Sequence, residues 1–528
     1  MKNNNVISAL LGVLVGVLLC TTVYKFVDNH KQFDGDYNRW RKLNLILQEV
    51  ERNYVDTIDK KNMTDAAVIA ALSELDPHSV YLPPVDLEAS DGELSGNFEG
   101  IGITFNVPND TAIVLNTIPG GPSEKAGLLS GDRLLKVSDR DIAGVQFPQD
   151  SMIRLMKGPA GTKVNIVVGR DGDRIPFEIT RDKIPVNSID AAFMVDDTTA
   201  YIKLTKFTRT TFSEFKKAST SLLDSGMNRL IFDLRGNTGG YFDQACLLCN
   251  EFLEKGNVIV YMEGRNRPRQ YFRADGRGML KNVKLSVLVD EGSASSSEIF
   301  AGAMQDNDRG VIVGRRSFGK GLVQEPINFT DGSGIRLTVS RFHTPSGRCI
   351  QKPYSDHYAY DVIERYQHGE MTNADSIRVD KDDVYKTMAG RTVYGGGGII
   401  PDIFVPVDTT RVSDFFIACN KQSIQLRFSS MMFDKYKSRL VTIDNQNQLE
   451  SFYREINLEK QFLDFAYSKT SKRPNSREWA ETKSYMMPQV EGLVGRYSLL
   501  GEEAFYRSYL HIDICLNTAL DSTSVVRW

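Results

Sequence analysis

The chain has 528 residues and a formal net charge of −3, with 64 Lys and Arg against 67 Asp and Glu. This length predicts several domains, and the near-neutral charge disfavours a nucleic-acid-binding protein. The six cysteines are too few for a disulfide scaffold, and the six histidines form no tight metal-ligand pair, so we predict no metal or other cofactor.

The N-terminus contains an apolar run of membrane length. Lys2 precedes it, and the residues from Val6 to Val23 carry no charge, which corresponds to about 27 Å of helix. A cleaved signal peptide and a buried core helix are the alternatives, but the residues around Cys20 are a poor signal-peptidase site. We therefore predict a retained inner-membrane anchor over residues 1–24, with the bulk of the protein on the extracytoplasmic, periplasmic side.

Residues 30–90 are predicted to form a small helical region. Apolar residues from Trp40 to Tyr54 recur on one helical face, and Thr64 is predicted to begin a second helix that runs to Leu75. Pro77 is predicted to end this second helix, because proline lacks a backbone donor.

Residues 91–182 change to short β-branched runs separated by glycine and proline. One short helix, over 150–157, interrupts these runs. This texture predicts a compact, strand-rich domain.

Residues 183–406 alternate between strands and helices, which is typical of an α/β domain. Residues 407–528 return to a helical pattern. The predicted fold class is therefore mixed α/β in several domains, with a helical region at the N-terminus and a helical extension at the C-terminus.

In open α/β sheets, ligands gather at the carboxyl ends of strands, which directs attention to the loops after Leu234 and Asp290. The second loop places Ser295 at the mouth of a helix, where backbone amides could stabilise an oxyanion. Ser295 and Glu298 also have the spacing of a capping box, so a helix cap is the alternative on this fragment alone.

A serine nucleophile needs a base, and Lys320 and His343 are the nearest in the sequence. A lysine can act as a base only when it is neutral, which requires burial away from carboxylates. Gln324, four residues after Lys320, could hold the amine without charging it.

Several phrases of the chain, taken in order, resemble the carboxyl-terminal processing peptidases, also called tail-specific proteases. The likeness covers about residues 75–406. The matching phrases are 75–81 (LDPHSVY), 100–103 (GIGI), 233–240 (DLRGNTGG), 292–303 (GSASSSEIFAGA), 318–321 (FGKG), 344–347 (TPSG) and 398–403 (GIIPDI).

The resemblance implies a serine endopeptidase with a serine/lysine dyad. By motif position, Ser295 resembles the nucleophile and Lys320 the general base, with Gln324 orienting the lysine. The amides of Gly240 and Ser296 resemble the oxyanion hole.

The domain over 91–182 resembles a PDZ domain, which would bind a peptide C-terminus as an added strand. The loop of Gly100, Ile101, Gly102 and Ile103 matches the carboxylate-binding loop of such domains. Three apolar residues could line its groove, and ordinary core packing is the alternative for them: Met152, Leu155 and Met156.

The predicted function is that of a membrane-tethered, extracytoplasmic endopeptidase that recognises exposed C-terminal tails and cuts unstructured or misfolded polypeptides. A non-catalytic PDZ scaffold is the alternative, and a Ser-His hydrolase using His343 or His78 is a third. A homo-oligomer and an adaptor partner are left open. Residues 354–394 resemble an insertion, and neither they nor 407–528 receive a role.

Overall fold

The computed structural model describes residues 41–118, 120–170, 172–355, 357–409 and 412–522. The predicted anchor over residues 1–24 lies outside these ranges. No helix within the described residues is both long and apolar enough to cross a membrane.

The chain divides into two compact units, Met1–Leu75 and Asp76–Trp528. The described part of the first unit consists of two helices, α1 (41–53) and α2 (Lys60–Ser73). Helix α2 begins four residues before the predicted start at Thr64, because the Asp59 side chain accepts a hydrogen bond from the amide of Asn62 and caps the helix there. The predicted start was therefore wrong.

The second unit begins with a short strand and helix and continues into the strand-rich domain. Strands β2 and β9 pair with each other, and a separate sheet has the order β3-β4-β5-β7-β8, with β6 on β5. The elements are β1 (Val80–Leu82), α3 (Pro84–Ser95), β2 (Asn97–Gly100), β3 (Ile103–Asn106), β4 (Ala112–Thr117), α4 (Pro122–Ala126), β5 (Arg133–Val137), β6 (Arg140–Asp141), α5 (Gln149–Met156), β7 (Lys163–Arg170), β8 (Asp173–Thr180) and β9 (Asp182–Pro185).

The α/β domain contains a six-stranded sheet of order β10-β11-β12-β15-β16-β21, in which β10 is antiparallel to β11 and the other neighbours are parallel. The parallel strands are almost continuously apolar because both faces of the sheet are covered. Its elements are β10 (Ile189–Met194), β11 (Thr199–Leu204), α6 (Thr211–Asp224), β12 (Arg229–Asp233), α7 (Phe242–Asn250), β15 (Lys284–Val289), α8 (Ser296–Asp306), β16 (Val311–Gly314) and β21 (Ile403–Phe404).

A second sheet of the α/β domain has the order β1-β18-β13-β14, with β17 on β18. Gln324 belongs to β17 of this sheet. Its remaining strands are β13 (Val258–Gly264), β14 (Arg267–Arg273), β17 (Leu322–Asn328) and β18 (Gly334–His343).

The segment 354–394, predicted to be an insertion, contains a 3-10 turn (Tyr358–Tyr360), the helix α9 (Asp361–Gln367), a second 3-10 turn (Ala374–Ser376) and the hairpin β19 (Val384–Lys386) and β20 (Thr392–Tyr394). The C-terminal extension is helical, as predicted. Its helices are α10 (Asp414–Lys421), α11 (Ile424–Leu440), α12 (Gln446–Glu455), α13 (Leu458–Thr470), α14 (Ser476–Gly495), α15 (Glu502–Leu510) and α16 (Ile514–Ser522).

The C-terminal extension contacts both other parts of the second unit. Arg133 of the strand-rich domain forms a 2.6 Å ion pair with Asp434 of α11. Residues of α16, among them Leu516, join an apolar cluster on the six-stranded sheet. The mixed α/β class predicted from the sequence is thus confirmed.

Candidate active site

A cleft of about 1370 Å³ contains both Ser295 and Lys320. Gln324, Gly240 and Ser296 line the same cleft, so the structure brings all five candidate catalytic residues together. The cleft continues to the strand-rich domain, where its lining includes Phe98, Glu99, Arg154, Lys157, Gly158 and Lys183.

Ser295 lies on the turn between β15 and α8, at the carboxyl end of the sheet. Its backbone has φ +54° and ψ −112°, a conformation that an L-residue other than glycine rarely adopts. Such strain costs on the order of 1–3 kcal/mol and persists only where the surrounding structure imposes it. A strained serine between a strand and a helix is the local geometry expected for an exposed nucleophile.

The carboxylate of Glu298 connects the turn of Ser295 to the segment of Lys320. One oxygen, Oε2, accepts hydrogen bonds from the backbone amides of Ser295 and Lys320, each at 2.8 Å. The other oxygen accepts from the Ser317 hydroxyl at 2.5 Å and the Gly319 amide at 2.7 Å. Glu298 is fully buried. Its carboxylate caps the helix N-terminus, as the capping-box spacing predicts, and it also connects the two candidate catalytic residues.

Burial lowers the pKa of Lys320 below its ordinary value near 10.5, and the positive charge of Arg336 lowers it further. The carboxylates of Glu298 and Asp76 oppose this shift without reversing it. The side-chain nitrogen of Lys320, Nζ, donates a hydrogen bond to Oε1 of Gln324 at 3.0 Å. Because an amide oxygen is neutral, it orients the amine without stabilising the charged form as a carboxylate would.

The turn over residues 76–79, to which the sequence analysis assigns no role, holds Gln324 in place. The side-chain amide of Gln324 donates to the backbone carbonyl of His78. Asp76 shapes the turn, because its carboxylate accepts from the amides of His78 and Ser79 and from the hydroxyls of Ser79 and Thr338. The Asp-Pro pair at 76–77 was the available signal, since aspartate favours such turns.

Two glycines allow the loop after β12 to pack closely, Gly239 against the turn of Ser295 and Gly240 against Phe207. Gly239 has φ +99°, and a Cβ there would lie 2.8 Å from the Ala294 carbonyl oxygen. Gly240 has φ +146°, and a Cβ there would lie 2.0 Å from the Phe207 carbonyl oxygen. The Ser296 hydroxyl donates to the Gly240 carbonyl at 3.0 Å, which joins the two residues predicted to supply the oxyanion hole.

In the strand-rich domain, the loop from Gly100 to Ile103 leads into β3, which is an edge strand of its sheet. Gly102 has φ +73°, and a Cβ there would lie 2.9 Å from Ile184, so the loop requires glycine at this position. Met152 and Met156 are buried in the domain core, which was the alternative for them, whereas Leu155 is only partly buried.

Neither histidine considered as a base is among the described residues that line the cleft. His343 stacks on Tyr261 with 4.6 Å between ring centroids, and its Nε2 lies 3.5 Å from Glu263. The ring of His78 instead hydrogen-bonds to Tyr358. These contacts favour lysine over histidine as the partner of Ser295.

Comparison with known proteins shows the family of the chain. The family model described as PDZ domain matches residues 100–180, and that of peptidase family S41 matches residues 198–358. The chain is 30% identical over 348 residues to the carboxy-terminal processing protease CtpA of Bacillus subtilis (strain 168), which covers 64% of this chain and 74% of the relative. The chain belongs to peptidase family S41. It is therefore a serine-type peptidase with a PDZ domain, related to the carboxy-terminal processing proteases.

The chain also matches a second relative and a solved structure. A probable CtpA-like serine protease of Staphylococcus aureus (strain N315) is 30% identical over 383 residues, with 71% of this chain and 76% of the relative covered. A solved structure titled photosystem II D1 C-terminal processing protease is 26% identical, with 69% of this chain and 86% of that chain covered and a TM-score of 0.37. Membership of the peptidase family favours an enzyme over the non-catalytic scaffold that the sequence left open.

Proposed function

We propose that this S41 peptidase cleaves polypeptides with a dyad in which Ser295 is the nucleophile and Lys320 is the general base. The observation that carries the proposal is the single Glu298 oxygen that binds the backbone amides of both residues, in a cleft where Lys320 is partly buried and bonded to a neutral amide. A lysine held in this way is neutral at lower pH than an exposed lysine, which favours a role as base.

In the proposed reaction, the neutral amine of Lys320 takes the hydroxyl proton as Ser295 attacks the scissile carbonyl carbon. The amides of Gly240 and Ser296 stabilise the resulting oxyanion. The tetrahedral intermediate collapses when Lys320 returns the proton to the leaving amine, which leaves an acyl-enzyme on Ser295. Water then attacks the ester with the same lysine as base, and the new C-terminus departs.

We further propose that the PDZ domain selects substrates by their C-terminal tails. The exposed edge of β3 and the glycine loop before it support the addition of a peptide strand, with the terminal carboxylate on backbone amides. The cleft that runs from this domain to Ser295 suits an extended, unfolded chain. Substrates would then be unstructured polypeptides with accessible apolar C-termini.

Membrane tethering and an extracytoplasmic location are also part of the proposal, and they rest on the uncharged run from Val6 to Val23. Full-length protein should remain in the membrane fraction after alkaline extraction. A Leu11→Lys, Val15→Lys variant should be released, because two charges at the centre of the run oppose insertion. Release of the unmodified chain would contradict the anchor.

The catalytic proposal is tested with full-length protein in detergent and an unfolded substrate that ends in apolar residues. Cleavage should fall at least about 1000-fold in Ser295→Ala, with residual activity from the remaining site. The same substrate ending in two aspartates should show a raised KM with little change in kcat. Wild-type activity in Ser295→Ala would refute the nucleophile, and equal turnover of the two substrates would refute tail selection.

A further inference from the structure

Tyr358 lies behind the base side of the cleft and does not line it. It belongs to the segment 354–394, to which no role could be assigned from the sequence. The side chain is buried, with 7% of its surface exposed. Its hydroxyl contacts two side chains, His78 and Gln351, and both lead back to Lys320.

The first path runs through Gln351. Its Oε1 accepts a hydrogen bond from the amide of Gly321, the residue after Lys320, at 2.9 Å. This bond fixes the orientation of the side-chain amide, so Nε2 is the group that donates to the Tyr358 hydroxyl at 3.1 Å. Tyr358 is thus an acceptor toward Gln351 and keeps its own proton for another partner.

The second path runs through His78. The Tyr358 hydroxyl lies 2.7 Å from Nε2 of His78 and can donate to it, because burial and the nearby Lys320 lower the pKa of His78 to about 4 and keep the ring neutral. The carbonyl of His78 accepts from Gln324, and Gln324 accepts from Nζ of Lys320 at 3.0 Å. Together the two paths connect the side-chain amine of Lys320 to the backbone amide of Gly321, the residue that follows it, by way of Tyr358.

We infer that Tyr358 is a positioning residue for the general base: its hydroxyl joins His78 to Gln351, and so holds Gln324 against Lys320 and keeps water from the amine. The inference rests on the proposed function, because it concerns the lysine of the proposed dyad. It also gives the segment 354–394 a role, which is to close the site behind the base.

Replacement of Tyr358 by phenylalanine removes the hydroxyl alone. The ring remains, so the ammonium of Lys352, 4.2 Å from the ring centroid, keeps this contact as well as its 3.1 Å pair with Asp361. The charged groups around Lys320, which are Arg336, Glu298 and Asp76, also remain. The change that follows is loss of the tie to His78 and better hydration of the amine, which raises the pKa of Lys320.

The experiment compares kcat/KM of full-length wild type, Tyr358→Phe and Tyr360→Phe from pH 6 to 10 on the unfolded substrate. Tyr360 is the matched control because it lies two residues away and is 60% exposed. We expect Tyr358→Phe to lose about tenfold at pH 7.5 and to recover toward pH 10. This corresponds to a rise of about one unit in the midpoint, since the neutral fraction of an amine falls about tenfold per unit of pKa. KM and the profile of Tyr360→Phe should match wild type.

Gln351→Leu breaks the other path, between Gly321 and Tyr358, and should move the midpoint of the pH profile in the same direction. This variant tests the inference if Tyr358→Phe does not fold. An unchanged midpoint, whether activity is retained or is lost equally at every pH, would overturn the positioning role while leaving the dyad intact. Lys320→Ala separates the two claims. If it cleaves as well as wild type, the dyad itself fails, and the inference fails with it.

Discussion

The two halves of the proposed site, the nucleophile side around Ser295 and the base side around Lys320, are built in different ways. Ser295 is placed by its own turn, which is strained and local in sequence, between β15 and α8. Lys320 is placed by Gln324, four residues on, which is held in turn by contacts to His78 and Tyr358 that are distant in sequence. The contrast suggests that the geometry of the nucleophile depends on backbone conformation, whereas the protonation state of the base depends on tertiary burial.

The two sides also rest on different outer segments. The base side is closed by the segment 354–394, where Arg365 donates to the carbonyls of Ser317 and Phe318 at 2.8 and 3.2 Å. On the nucleophile side, Arg235 precedes the glycines of the candidate oxyanion hole and forms two hydrogen bonds to Asp513 of the C-terminal extension. Each outer segment therefore contacts a loop that leads into one half of the proposed dyad site.

The largest effect is expected from removal of the base. Lys320→Ala should lower kcat/KM about 1000-fold at pH 8, because general-base catalysis is lost while the nucleophile and oxyanion donors remain. Added primary amines should restore part of the activity if the cavity admits them. Exposed Lys217→Ala is the control and should cleave as wild type does. A loss below about tenfold would remove Lys320 from the base role.

Glu298→Gln tests the connection between the two sides and should cost about 100-fold in kcat. A glutamine presents an NH2 group to donors that now face a carboxylate oxygen, and each lost hydrogen bond to a buried charge is worth about 1.5–3 kcal/mol. The thermal midpoint should fall as well. Glu254→Gln, on a side chain 69% exposed, is the control. Near-normal kcat in Glu298→Gln would mean that the connection is not needed.

The strain at Ser295 predicts a stability difference between two inactive variants. Ser295→Gly should be more stable than Ser295→Ala by about 1 kcal/mol, because glycine adopts φ +54° without the Cβ penalty. Denaturant unfolding measures the difference. If the alanine variant is the more stable of the two, the backbone of this turn is not strained as described.

The smallest effect is expected from the C-terminal extension. Asp513→Asn weakens one of the carboxylate partners of Arg235 but leaves the buried Asp233, so kcat should fall only about threefold with KM unchanged. Asp464→Asn, at an exposed ion pair within the same extension, provides the comparison. A rise in KM alone would assign the Asp513 contact to substrate binding rather than to the oxyanion loop.

The sequence indicates the local surroundings of Ser295 more completely than those of Lys320, for a physical reason. Ser295, Glu298 and the glycines 239–240 lie in short motifs whose turn chemistry is local. Lys320 and Gln324 could be paired by their spacing, but no local pattern connects them to Asp76, His78 or Tyr358, because these contacts join residues far apart in the sequence.

Other parts of the chain show the same limit. The start of α2 was misplaced because the capping aspartate at position 59 precedes the apolar pattern that was used to locate the helix. The helix α5 was expected at nearly the observed position, but its pattern could not separate groove residues from core residues. Met152 is fully buried and Leu155 is not, a distinction that depends on the sheet beneath the helix.

The central claim is that Lys320 works as a neutral, partly buried amine, and the pH dependence of kcat/KM for the wild-type enzyme tests it most directly. Because the pKa of Lys320 is lowered from its ordinary value near 10.5, the neutral base becomes populated at lower pH than in an exposed lysine. Activity should rise with pH through one ionisation whose midpoint lies below 10.5 and should then level off. A profile that is flat from pH 6 to 10, or that keeps its rise in Lys320→Ala, would contradict the account.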